Sequence, residues 1–211
     1  LASFGNQYTD GLSSLANGTE TDVYNAINGN LKLGYRFSEA FKMTVYGSWD
    51  KFKADFDDGF AGMDSNDLST TKQQRYGFSP EYTYKKGSLS LNAAYNKVER
   101  DIESSYPALY NAESFTADLF NRYTFSKTLY TVLGVQVKQD HMESFTIPFG
   151  GTDFEQGIDP EIAKYTNVDP YANVVYVSAF GLQVNAGARL NNHSEYGNHV
   201  VYSLNPSYKK D

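Results

Sequence analysis

Five aspartates, Asp55, Asp57, Asp58, Asp64 and Asp67, fall in the single stretch DFDDGFAGMDSND, around a glycine turn. Carboxylate oxygens held close together suit calcium, a hard cation that takes about six to eight oxygen ligands. Asp55, Asp57, Asp58 and Asp64 are the candidate ligands, with Asp22 joining them only if the preceding loop folds across. The spacing is not that of an EF-hand, because no Glu stands where the bidentate ligand belongs. A solvated acidic loop is the other reading of the same residues.

A second group lies between His141 and Val168, where Phe145, Phe149, Phe154 and Tyr165 are set among glycines and acidic residues. Rings in exposed loops give rigid contact area at little entropic cost, so these four are the candidate ligand-facing residues. Packing of the loop onto its neighbours would use the same rings. The histidines His141, His193 and His199 match no metal-ligand spacing. Ser194, His193 and Asp140 could be assembled into a catalytic triad on paper, but no nucleophile elbow accompanies them. The residues therefore favour binding over catalysis.

These groups need a scaffold, and the chain spells one out in period two. Tyr76, Phe78, Pro80, Tyr82 and Tyr84 alternate with Arg75, Gly77, Ser79, Glu81, Thr83 and Lys85, which puts rings on one face of a strand and polar groups on the other. Ten such segments are expected: residues 1–8, 23–37, 41–56, 75–85, 88–102, 113–125, 128–139, 171–180, 182–191 and 199–209. Short turns at Ser38-Glu39-Ala40, Lys86-Gly87, Ser126-Lys127 and Gly181 alternate with long polar loops over 9–22, 57–71, 103–112 and 141–168. Short and long connections in alternation, with aromatics gathered beside the short ones, are the pattern of an outer-membrane β-barrel. Pro80 and Pro206 interrupt good strands and predict either a bulge or a missing ladder bond.

Composition agrees. The 211 residues include 18 Tyr and 14 Phe, and the mean hydropathy of -0.53 leaves no room for a spanning helix. A barrel strand hides its membrane character because half of it faces water. The net charge of -7 without a basic run excludes a nucleic-acid partner, and zero cysteines exclude disulfides and thiolate metal sites. No covalent cofactor is expected. Neither end of the chain reads as a natural terminus, so a piece of a longer polypeptide is expected.

The segment ARLNNHSEYGNHVVYSLNPSY resembles a late-barrel stretch of the TonB-dependent outer-membrane receptors, with Gly187, Arg189, His193, Ser194, Tyr196, Gly197, Ser203 and Tyr208 at matching places. Where that family usually carries an Asp, this chain has Asn191 or Asn192. The order YTDGLSSLANGTETD followed by NLKLGYRFSEAFKMTVYG is similar to the vitamin B12 (cobalamin) transporter type. The resemblance implies an all-β, antiparallel up-and-down transmembrane barrel, here about ten strands of a larger one of about 22. Residues 1–211 would be a partial barrel without its plug domain, located in the bacterial outer membrane. Implied partners are membrane lipid, that plug, the TonB complex through the missing part, and a small-molecule ligand, cobalamin or a similar metal chelate such as a siderophore. Calcium ordering of extracellular loops near the acidic stretch is also implied. Two rival readings are a complete small outer-membrane barrel acting as a hydrolase and a soluble β-rich adhesin or binding module.

Overall fold

The computed structural model describes residues 1–13, 15–16, 18, 20–58 and 62–209; the glycine turn at 59–61 lies outside them. Their regular structure is antiparallel β throughout, with ten long strands paired in chain order: β1 (Ala2–Thr9), β2 (Tyr24–Arg36), β3 (Phe41–Asp58), β4 (Met63–Tyr84), β5 (Gly87–Glu103), β6 (Ala108–Thr124), β7 (Leu129–Thr146), β9 (Lys164–Val177), β10 (Leu182–His193) and β11 (Gly197–Tyr208). The short β8 (Glu155–Gln156) adds to the end of β7. No helix among the described residues is long and apolar enough to cross a membrane, which says nothing of strands.

Three expectations need correction. The tight hairpin between β4 and β5 turns on Lys85-Lys86, and Gly87 already pairs with Tyr84. The expected long loops over 57–71 and 103–112 are mostly strand, since β4 starts at Met63 and runs 22 residues, and the β5–β6 link is only 104–107. Likewise β7 continues to Thr146 and β9 begins at Lys164, leaving 147–163 as the connection. The physical reason is common to the last two. Beyond the level where one face meets an apolar medium, both faces of a strand are wet, so the alternation that marks a strand in sequence disappears.

The registers sort every side chain onto one of two faces. Leu33, Val45, Phe78, Ala93, Ala117 and Val137 are successive cross-strand partners on one face, and Tyr35, Met43, Leu91, Leu119 and Val135 follow on the row beside them. Leu31, Leu89, Tyr82, Val184 and Leu190 share that face, while Arg36, Glu81, Asn92, Gln183 and Arg189 all occupy the other. Large exposed apolar residues crowd the first face, where of the residues named only the small Ala93 is buried, whereas Ala26, Ser90, Asp169 and Val175 on the second are all buried. In a single-layered sheet, burial weighted to one side marks that side as concave. The polar face is therefore the inside of the curve, and the apolar face is its outer belt.

Aromatics bound this belt at both levels. Tyr35, Phe37, Phe41, Tyr82, Tyr123 and Phe125 edge it beside the short turns, with Phe37 and Phe41 rings 5.4 Å apart. A second ring of Trp49, Tyr76, Tyr95 and Phe115 edges it about seven to nine residues along each strand, close to the span of a tilted transmembrane strand. That upper ring is invisible without the register.

The prolines act through the ladder. Thr83 donates its N–H to Ala40, the residue just before β3, so Pro80 turns its donorless nitrogen toward β5, and the β4–β5 ladder lapses at Ser79 and Pro80 without a shift of register. Lys209 donates to Gly181. By the same alternation Pro206 faces away from β10, where no strand of the described residues needs a donor.

On the concave face, Tyr171 lies across its cross-strand partner Gly134, and Tyr46 lies across Gly77; a Cβ on either glycine would run into the ring. The Tyr171 hydroxyl then reaches Asp118, donating at 2.9 Å. Gly134→Val is accordingly expected to dislodge the ring and lower folding stability by about 1–3 kcal/mol, as overpacking does. Tyr171→Phe, which keeps the ring and loses the hydrogen bond, should cost about 1 kcal/mol. Urea unfolding in lipid vesicles measures both, and a Gly134→Val protein as stable as the parent would contradict this packing.

Candidate functional site

The ladder between β3 and β4 is regular up to Phe56 and Asp67, and then shifts so that Asp58 pairs with Met63. Residues 64–66 thus oppose Asp57 alone, a bulge that re-aims side chains at the far end of both strands. Asp57 is buried at 6% exposure. Its carboxylate accepts hydrogen bonds from the Ser65 N–H at 3.2 Å and the Ser13 hydroxyl at 3.0 Å. The Ser13 contact shows that the link between β1 and β2 reaches across this end of the sheet at Ser13.

That crossing delivers Glu20. One carboxylate oxygen from each of Glu20, Asp57 and Asp64 lies within 4.8 Å of the others. Two oxygens bound to one calcium at about 2.3–2.6 Å can be separated by up to about 5 Å, so the donor set and spacing fit this cation. Withdrawal from water, together with the negative charges of Asp64 and Asp57, pushes the Glu20 carboxyl above its ordinary range. Of the four aspartates expected as ligands, the structure gathers Asp57 and Asp64. Asp55 pairs with Leu68 further down the strand, and Asp58 directs its backbone N–H to the Ser65 hydroxyl at 2.9 Å. Asp22 is not in the triad. Glu20 had no signal in sequence, since only the path of the connection brings it to residues 37 and 44 positions later.

The aromatic set divides. Phe145 pairs with Leu109 on the outer face, whereas Tyr165 pairs with Asp140 on the concave face. Phe149 and Phe154 sit in the 147–163 connection, both exposed. The rings that do assemble are Tyr165, stacked on His193 with centroids 4.9 Å apart, and Tyr196, 4.7 Å beyond. The Tyr165 hydroxyl bonds to Asp140 and accepts from Lys138 Nζ at 2.9 Å, and Lys138 also pairs with Asp140 at 2.6 Å.

The 187–208 signature acts as a turn and register scaffold. His193 Nδ1 accepts the N–H groups of Glu195 at 3.1 Å and Tyr196 at 3.4 Å, and Gly197 takes a φ of 74° to close the turn. Ser194 Oγ accepts from Thr166 N–H. Ser194, His193 and Asp140 are thus each engaged elsewhere and form no hydrogen-bonded triad. Lower on the concave face, the β9–β10 ladder lapses between Arg189 and His193, opposite Pro170. Asp169 fills the gap, accepting the Asn192 N–H at 3.0 Å and Arg189 Nη2 at 2.5 Å. Arg189 also donates to Gln136, and with Asp118 and Tyr171 lines a cleft of about 360 Å³.

Comparison with known proteins gives a likeness of fold alone. The sequence matches no family model and no curated protein. Among solved structures, the chain is similar to the siderophore receptor PirA from Acinetobacter baumannii, with a TM-score of 0.71 and 14% identity over 100% of this chain and 36% of that one. It is also similar to the copper transporter OprC, with a TM-score of 0.69 and 10% identity over 98% of this chain and 36% of that one. The RagAB peptide transporter matches with a TM-score of 0.69 and 11% identity, over 98% and 32%. The chain spans about a third of the length of these proteins.

Proposed function

We propose that this chain is wall and rim of a TonB-dependent outer-membrane receptor that takes up cobalamin or a similar metal chelate. The observation that carries the proposal is the fold likeness over essentially the whole chain to receptors and transporters whose cargoes are a siderophore, copper and a peptide. Cargoes so different on one scaffold mean that the wall is generic and the rim selects. In this reading the apolar belt meets lipid, the concave polar face cradles a plug domain, and the short turns face the periplasm. The chain carries out no reaction. Phe149, Phe154 and the Tyr165–His193–Tyr196 stack are the rings offered to ligand, while Phe145 faces outward. The test is uptake of labelled cobalamin and ferric chelates by cells whose only such receptor is the full-length protein. Uptake that persists without TonB would sink the proposal.

Calcium belongs to the same proposal. Glu20, Asp57 and Asp64 would hold the ion, and its charge would neutralise three converging carboxylates and fix the 10–23 connection to the end of β3. Because the Glu20 carboxyl is pushed above its ordinary range, protons compete with calcium for it from a higher pH than at an ordinary carboxylate. Binding is therefore expected to weaken as pH falls into the carboxylate range, with protons taken up as calcium leaves. Glu20→Gln and Asp57→Asn should each weaken it about tenfold or more, since affinity follows the count of charged ligands. Calorimetry in buffers of different ionisation enthalpy reads both effects directly. Affinity independent of pH and of both substitutions would leave a solvated acidic loop.

A further inference from the structure

Just past the upper aromatic ring, on the outer face, the ladder sets Lys51 of β3 directly opposite Lys72 of β4, with Lys53 on the same face one row further on. Like charges directly opposite each other destabilise a sheet. Among the described residues none of the three lysines is in an ion pair, and Glu99, the partner of Lys72 on β5, is bridged to Lys97 at 2.9 Å. Two further acids share this face, Asp55 opposite Leu68 and Asp101 opposite Thr70, and both lie further from the belt than the Lys51–Lys72 pair. Lys53 and Lys72 are exposed and Lys51 is half-buried.

On the belt side of this pair the outer face is hollow. Gly29, Leu31, Val45, Gly47, Trp49 and Tyr76 line a cleft of about 560 Å³, and none of the residues lining it is charged. Two glycines open it. Gly29 is the cross-strand partner of Trp49, and a Cβ there would meet nothing within 4 Å; Gly47 stands between Leu31 and Tyr76. Where the rest of the belt presents large side chains, these two positions leave a groove beside the Trp49 ring. From Lys51 to Val45 is six residues, roughly 20 Å along the strand.

We propose that this patch seats one membrane lipid with a phosphate monoester head, the phosphate received by Lys51, Lys53 and Lys72 and an acyl chain laid in the groove beside Trp49 and Tyr76. Interfacial Trp and Tyr rings mark the level of lipid headgroups, so lysines immediately beyond them stand at the depth of lipid phosphates. A phosphate monoester carries about -1.5 to -2 charges and three strong acceptor oxygens, enough to answer two or three ammonium groups at once. A choline head would instead bring its own cation beside the lysines. An acyl chain is flexible enough to fill a hollow that, left empty, forfeits its dispersion contacts. A second copy of the chain covering the same patch by two-fold symmetry would set these lysines toward its own. The inference rests on the belt facing lipid, as in the function proposed above, and is independent of the cargo.

The test is native mass spectrometry of the full-length protein released from detergent micelles holding dioleoyl phosphatidic acid or dioleoyl phosphatidylcholine at equal concentration. The parent protein is expected to retain one phosphatidic acid about tenfold more than phosphatidylcholine. Lys51→Gln with Lys72→Gln should erase that preference and, because it removes a repulsion, leave the lipid-free protein no less stable to urea. Gly29→Leu, a side chain for which there is room, should fill the groove and lower retention of phosphatidic acid severalfold. Lys127→Gln, in an exposed turn at the far end of the sheet, should change neither. Equal retention of the two lipids by the parent, retention untouched by the double lysine variant, or displacement of the lipid by an equal concentration of inorganic phosphate would each overturn the proposal. Flotation with phosphatidylcholine vesicles separates this from the wider reading: a protein that inserts but shows no preference overturns this inference alone, and one that does not insert overturns the membrane reading with it.

Discussion

Leu119→Arg is expected to destabilise the folded protein in lipid by about 2–4 kcal/mol, the cost of an arginine at the midplane of a barrel's outer face. Leu119 sits between Leu91 and Val135 on the outer face, near the middle of the belt, and is 42% exposed. Lipid cannot hydrate a guanidinium, and at this depth the side chain cannot reach a headgroup without thinning the bilayer. One residue along, the outcome changes sign or vanishes. Asn92 lies on the concave face directly opposite Asp118, so Asn92→Arg places a cation beside a carboxylate in a wet interior. Urea titrations of both variants refolded into vesicles provide the comparison. Equal penalties for the two would mean that the faces are not distinguished by solvent, and the membrane reading would fall.

Arg189→Ala is expected to cost about 3 kcal/mol, the second largest effect. Asp169 is only 4% exposed, and its carboxylate is paired with Arg189 and the Asn192 N–H. Removing the arginine strands a buried negative charge, which in other proteins costs about 3–5 kcal/mol. A third of the Arg189 side chain is open, so water enters and places the loss at the lower end of that range. The double variant Arg189→Ala with Asp169→Asn should recover much of the stability, because the remaining amide still accepts the Asn192 N–H and carries no charge. A double variant as unstable as the single one would show that packing, not the stranded charge, governs the site.

How much of this was legible in sequence follows from where each residue sits relative to the belt. Inside the belt the contrast between lipid and water imposes strict alternation, so the faces of Leu31 to Leu33, Tyr82, Leu89 to Leu91 and Val184 to Leu190 are readable residue by residue. Turns there are found to within a residue or two. Outside it, Asp64 to Thr71 and Glu103 to Ala112 have polar neighbours on both faces, and nothing in their pattern separates a strand from a loop. Parity errors follow from that. Phe145 and Tyr165 look like companions in one loop, yet as strand residues they fall on opposite faces. Asp57 and Asp64 could be seen as acidic neighbours, but the bulge that brings them together and the crossing that adds Glu20 are properties of pairing and path. Asp169-Pro170 was readable in principle, as a proline that must break a ladder beside an acid able to replace the lost bond.

The long strands have a consequence for the speed and selectivity of capture. β3 runs 18 residues and β4 runs 22, so both continue well past Trp49 and Tyr76 with their hydrogen-bonded ladder intact up to the bulge. A loop of the same length would have to be ordered whenever something bound to it, at about 1–2 kcal/mol of backbone entropy for each residue fixed. Here that ordering is already complete when the protein folds. In the receptor proposed above, molecules meeting this parapet would encounter a preshaped surface that cannot mould itself to them, so those that fit would associate without an ordering delay and those that do not would be rejected by shape.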